Sequence, residues 1–139
     1  MQIAFYAPLK APGHPVPSGD RTMARLLIKA LEAAGHEVQT VSTLRSFSQS
    51  PDMQAISAKA ESEAKAIMDR WADKPADLWF SYHPYYKAPD LIGPIVANHY
   101  GLPVATAEAS LSAKHETGIW RARHEQVRRF VSGAKINFC

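Results

Sequence analysis

The chain has 139 residues, enough for one domain that buries most of its apolar surface. Its 46% hydrophobic and 21% charged residues are globular proportions, and the net charge of +3 is too small and too scattered for a nucleic-acid binder. No apolar run approaches the ~18 residues of a membrane span, and the single Cys139 excludes an internal disulfide. Met1 leads straight into a strand pattern, so a cytoplasmic protein without a signal peptide is expected, with an anionic substrate or peripheral membrane contact compatible with the charge.

Gln2 to Ala7 is a short run rich in β-formers, ended by Pro8, and reads as a buried strand. The next segment, to Gly19, holds prolines 8, 12, 15 and 17 and predicts a stiff, extended loop. From Asp20, apolar residues at Met23, Leu26, Leu27, Ala30, Leu31 and Ala34 make one helical face; Ser18 can cap it and Gly35 can end it. Glu37 to Ser42 predicts a second strand, and Thr43 to Pro51 a polar loop.

Asp52 to Asp73 carries Met53, Ile56, Ala60, Ala64, Ile67, Met68 and Trp71 at helical spacing, until Pro75 breaks it. Leu78 to Tyr82 is a third strand and Asp90 to Tyr100 a helix, its Pro94 tolerated in the first turn. Gly101 closes that helix before a fourth strand, Pro103 to Glu108. A helix near Gly118 to Val131 and a fifth strand, Ala134 to Phe138, finish the chain. Strands separated by helix-length segments imply right-handed crossovers. The expected fold is therefore α/β: one Rossmann-like, three-layer domain over 1–139, with a mostly parallel sheet of about five strands in order 3-2-1-4-5. No helix follows the fifth strand to cover it, so the chain is expected to stop in mid-pattern and to self-associate.

Ligands of such sheets sit beyond the carboxyl ends of the strands, where the strand order reverses. In the expected order the first and fourth strands flank that crevice. Ser18, Gly19, Asp20 and Arg21 then form a helix start that can hold a substrate, or that simply caps and charges the helix. His83 ends the third strand among Tyr82, Tyr85 and Tyr86, as a base or sugar-hydroxyl ligand, or as part of an aromatic surface turn. Glu108 ends the fourth strand with Ser110 two residues on; its carboxylate suits substrate hydroxyls, or a helix cap or a salt bridge to Lys114. Arg121, Arg123, Arg128 and Arg129 read as a solvated helix face. No phosphate-loop or dinucleotide motif occurs, and no His-Glu pair extends to a zinc-binding HExxH, so neither cofactor nor metal is expected.

The stretches MQIAFYAPLK, HPVPSGDRTMARLLIKALEAAGHEV and PADLWFSYHPYYKAPDLIGPIVANHYGLPVATAEAS resemble the N-terminal half of bacterial group 1 glycosyltransferases of the GT-B type. The likeness runs through the whole chain, most strongly over residues 1–42 and 76–110, and the first loop departs from it in being proline-rich rather than glycine-rich. It implies an acceptor-side domain facing a second, donor-binding half that holds a nucleotide-sugar, with a sugar or a lipid-linked acceptor. By position it implies catalytic roles for His83 and Glu108, and substrate contacts from Ser18, Gly19, Asp20, Arg21 and Ser110. A standalone acceptor-binding subunit or inactive fragment needing a donor-binding partner, and a non-enzymatic small-ligand binder, are the alternatives.

Overall fold

The computed structural model describes residues 1–139. Five strands make one all-parallel sheet: β1 (Gln2–Tyr6), β2 (Glu37–Thr40), β3 (Leu78–Tyr82), β4 (Val104–Ala107) and β5 (Ile136–Phe138). Four helices connect them: α1 (Gly19–Ala33), α2 (Gln54–Trp71), α3 (Gly93–Tyr100) and α4 (Arg121–Gly133). The fold is the Rossmann-like three-layer sandwich that the alternation predicts, and no helix is long and apolar enough to cross a membrane.

The strand order is β2-β1-β3-β4-β5, which corrects the expected 3-2-1-4-5. The physical reason lies in the strand faces. In LWFSY of β3 four of five residues are buried, whereas EVQT of β2 has none buried. A strand buried on both faces takes an interior position, and a polar one takes the edge. The order therefore reverses between β1 and β3.

The parallel register sorts the side chains cleanly. Ile3 pairs with Val38 and Leu78, Phe5 with Phe80, Tyr82 with Ala107, and Ala107 with Phe138. All of these but the half-exposed Phe138 form one core with Ala24, Leu27 and Leu31 of α1. On the opposite face Ala4, Tyr6 and Trp79 pack with Ala60, Ala64 and Ile67 of α2, Val96 and Ala97 of α3, and Phe130 of α4.

Helices α2, α3 and α4 begin slightly later than expected, and side chains explain two of the starts. Asp52 Oδ1 accepts from the Gln54 amide, and buried Asp90 accepts from the amides of Ile92 (3.1 Å) and Gly93 (2.7 Å). Both aspartates hold unpaired first-turn N–H groups from outside the helix. Asp90 also accepts from Trp79 Nε1 at 2.8 Å, fixing α3 to the sheet. A Cβ on Gly93 would come within 2.5 Å of that indole nitrogen, so only glycine fits there.

Candidate active site at the strand ends

The crevice lies between the loops that follow β1 and β3, not β1 and β4 as the expected order implied. The loop after β1 is also less extended than its prolines suggest. The His14 amide donates to Ala11 O at 3.0 Å, closing a turn. Arg25 Nε donates to Pro12 O (2.7 Å) and Arg45 Nε to Leu9 O (2.9 Å), so two guanidinium groups pin the loop from either side.

Ser18 caps α1, its Oγ accepting from the Arg21 amide at 3.1 Å. Gly19 has no atom within 4 Å of where a Cβ would stand, which leaves open space above the helix start. Asp20, in the first turn, is aimed across the crevice. Its Oδ1 lies 2.9 Å from His83 Nδ1 and accepts from the Tyr82 hydroxyl at 3.3 Å. Capping and a site role thus fall to different residues. Half-buried Arg21 points a partnerless Nε inward.

His83 and Glu108 each follow directly on a strand, and each has a φ of 56°. This left-handed region costs a non-glycine residue ~1 kcal/mol or more and is typical of ligand clamps. The His83 amide still donates to Ala107 O and the Glu108 amide to Phe138 O, both at 2.8 Å. The ladder therefore continues one residue past each strand, and the chain turns sharply there. His83 stacks on Tyr85 with ring centroids 5.2 Å apart.

Glu108 neither caps a helix nor pairs with Lys114; its side chain is exposed and makes no hydrogen bond or salt bridge within the chain. It is near enough for its charge to act on Tyr82. Burial first, then Asp20, with Glu108 adding a smaller push, raises the Tyr82 phenol to about 12. Tyr82 therefore stays a hydrogen-bond donor at any ordinary pH. Ser110 is exposed, and its amide donates to Pro84 O at 3.1 Å, tying the loop after β4 to the turn after His83.

The structure thus brings Asp20, Tyr82 and His83 into direct contact and sets Glu108 on the next strand. Tyr82, which the sequence offers only as one of the aromatics around His83, proves to be a hydrogen-bond donor to Asp20. Arg123 corrects the picture of a solvated arginine face: Arg121, Arg128 and Arg129 are exposed, but Arg123 is 1% exposed. A cavity of about 720 Å³ lies instead among the flanks of α2, α3 and α4, where Ser57, Asn98 and Phe130 line it. Its lining contains no hydrogen-bonded acid–base pair, so the chemistry favours the strand ends. Compared with protein-family models, curated proteins and solved structures, the chain matches none.

Proposed function

We propose that the chain is the acceptor-side Rossmann-like domain of a GT-B-type glycosyltransferase, and that its β1/β3 crevice holds the sugar hydroxyl that receives the transferred sugar. The observation that carries this reading is the Asp20–His83 contact across the crevice. When Nδ1–H donates to Asp20, the imidazole keeps its lone pair on Nε2, which makes no hydrogen bond within the chain.

That nitrogen can accept the proton of an acceptor hydroxyl as its oxygen bonds to the anomeric carbon of the donor sugar. The nucleoside diphosphate leaves with the electron pair of the broken bond, and Asp20 stabilises the imidazolium that results. Glu108 takes hydrogen bonds from other hydroxyls of the acceptor. Stabilising the leaving diphosphate falls to the donor-binding half that the resemblance implies, so the 139 residues alone bind acceptor without turnover. A standalone acceptor-binding subunit uses the same crevice, and the pinned, proline-rich first loop, which lacks a phosphate cradle, suits it equally.

Calorimetric titration with methyl α-glucoside and methyl α-mannoside tests the site. Asp20→Asn and His83→Gln should each weaken binding about tenfold, the worth of one charge-assisted hydrogen bond, with little change in melting temperature. Binding left intact in both variants would overturn the assignment.

A further inference from the structure

A ladder of rings leads from the crevice along the carboxyl edge of the sheet to a group of cations with no acid paired to them. Tyr85, stacked on His83, meets Tyr86 edge-on at 5.6 Å. Tyr86 in turn lies 3.9 Å from His115 and 5.1 Å from Trp120, between ring centroids. Lys87 Nζ stands 5.8 Å from the centre of the Tyr86 ring and 5.9 Å from that of Trp120. The Arg123 guanidinium carbon is 5.8 Å from the same Trp120 ring.

Arg123 is buried, yet its contacts are neutral. Its two terminal nitrogens donate to the backbone oxygens of Lys87 (3.1 Å) and Asp52 (3.4 Å), and its Nε has no partner. The chain's salt bridges are Asp20 with His83 and Glu125 with Arg128 and Arg129, so no carboxylate lies within 4.0 Å of Lys87 or Arg123. Lys114 adds to the local charge, and burial first, then Lys114 and Lys87, hold the His115 imidazole below its usual range, while His124 Nε2 accepts from the Ser112 amide at 3.1 Å. Lys87, Lys114 and Arg123, from three segments, converge, offset at close range by ring faces and carbonyls and, from beyond salt-bridge distance, by the Asp52 carboxylate. Cation–π contacts are weak compensation for charges withdrawn from water.

We propose that this cluster is an oxyanion subsite for a phosphorylated sugar, free or carried as a lipid headgroup. Lys87, partly exposed, contacts the phosphoryl oxygens, and the Tyr86 and Trp120 rings offer faces for the sugar. Arg123 is a positioning residue: it holds the Lys87 backbone and the Trp120 ring in place. The subsite stands apart from the transferase reading, because it concerns phosphate binding at Lys87 and needs no proton transfer at His83.

The test uses the full 139-residue chain and follows the Trp120 indole N–H by NMR. Glucose 1-phosphate, methyl α-glucoside and vesicles of phosphatidylcholine with or without phosphatidic acid are the probes. A saturable shift with glucose 1-phosphate at concentrations where methyl α-glucoside gives none is expected, as is binding to the anionic vesicles if the phosphate is a lipid's. Lys87→Gln should weaken it about tenfold, Lys87→Arg should restore it, and Lys29→Gln on the far face of α1 should leave it unchanged. Lys87-dependent binding to the soluble ester alone assigns a free sugar phosphate, and to the anionic vesicles alone a headgroup; either supports the subsite. Equal shifts with methyl α-glucoside, equal losses in Lys29→Gln and Lys87→Gln, or no binding to either phosphate source would overturn it.

Discussion

Glu108 stands in a left-handed conformation, exposed and unpartnered, which is an unfavourable place for any residue with a Cβ. Selection for stability alone would put glycine there. Glu108→Gly should therefore raise stability by about 1 kcal/mol while weakening sugar binding, a trade expected where strain serves a ligand. Thermal melts and calorimetry on the same variant check both halves. A destabilised protein with unaltered binding would show that Glu108 has a structural role instead. Tyr82 gives a second residue-scale prediction, from its phenol raised from 10.0 to about 12. A raised folded value means that its contribution to stability is complete below pH 10 and is lost as the pH rises through 12. In an absorbance titration of the tyrosinates, Tyr82→Phe should remove a step near pH 12. Asp20→Asn should shift that step downward, because a neighbouring negative charge is gone; an unmoved step would argue that burial acts alone.

At the scale of elements, Asp90 is the junction between β3 and α3. Asp90→Ala leaves the Trp79 indole N–H and the amides of Ile92 and Gly93 without an acceptor in the core. Each such orphan costs ~1–3 kcal/mol, so urea denaturation should reveal a loss of at least about 3 kcal/mol, and a loss under 1 would show that water or backbone shifts replace the carboxylate. Asp90 also marks how far the sequence could be read. Helical spacing locates α3, but periodicity cannot tell a first-turn residue from one that caps it from outside. The five strands were legible as short segments rich in β-formers between glycine and proline breaks, β2 among them although it is polar. Strand order was not read correctly, although the contrast between LWFSY and EVQT held the answer: the polar strand belongs at the edge. His83, Asp20 and Glu108 could be picked out by their places at strand and helix ends. Arg123 could not, because only tertiary packing turns one arginine of an exposed series inward.

The molecule as a whole is unevenly covered. On the α1 side, Phe138 reaches over the small Ala105 and Ala107 of β4 to stack on Phe80, with centroids 6.4 Å apart. Even so, Ile136 and Phe138 are 51% and 52% exposed, on a strand whose outer edge is unpaired. Such an edge favours association through its backbone and its apolar face together. Sedimentation should show the chain associating as concentration rises, and Phe138→Ser should reduce that association; a monomer at every concentration would count against it. The strand ends after β1, β3 and β4 hold an acid–histidine pair, two residues in the left-handed region and open space above Gly19, the geometry that we propose orients a sugar hydroxyl. The most direct measurement of that claim is the amide footprint of a bound sugar, mapped by NMR on the isotopically labelled chain with methyl α-glucoside and methyl α-mannoside. Shifts centred on Gly19, Asp20, His83 and Glu108, lost in Asp20→Asn, are the predicted result; shifts confined to Arg121–Arg129, with the strand ends silent, would contradict it.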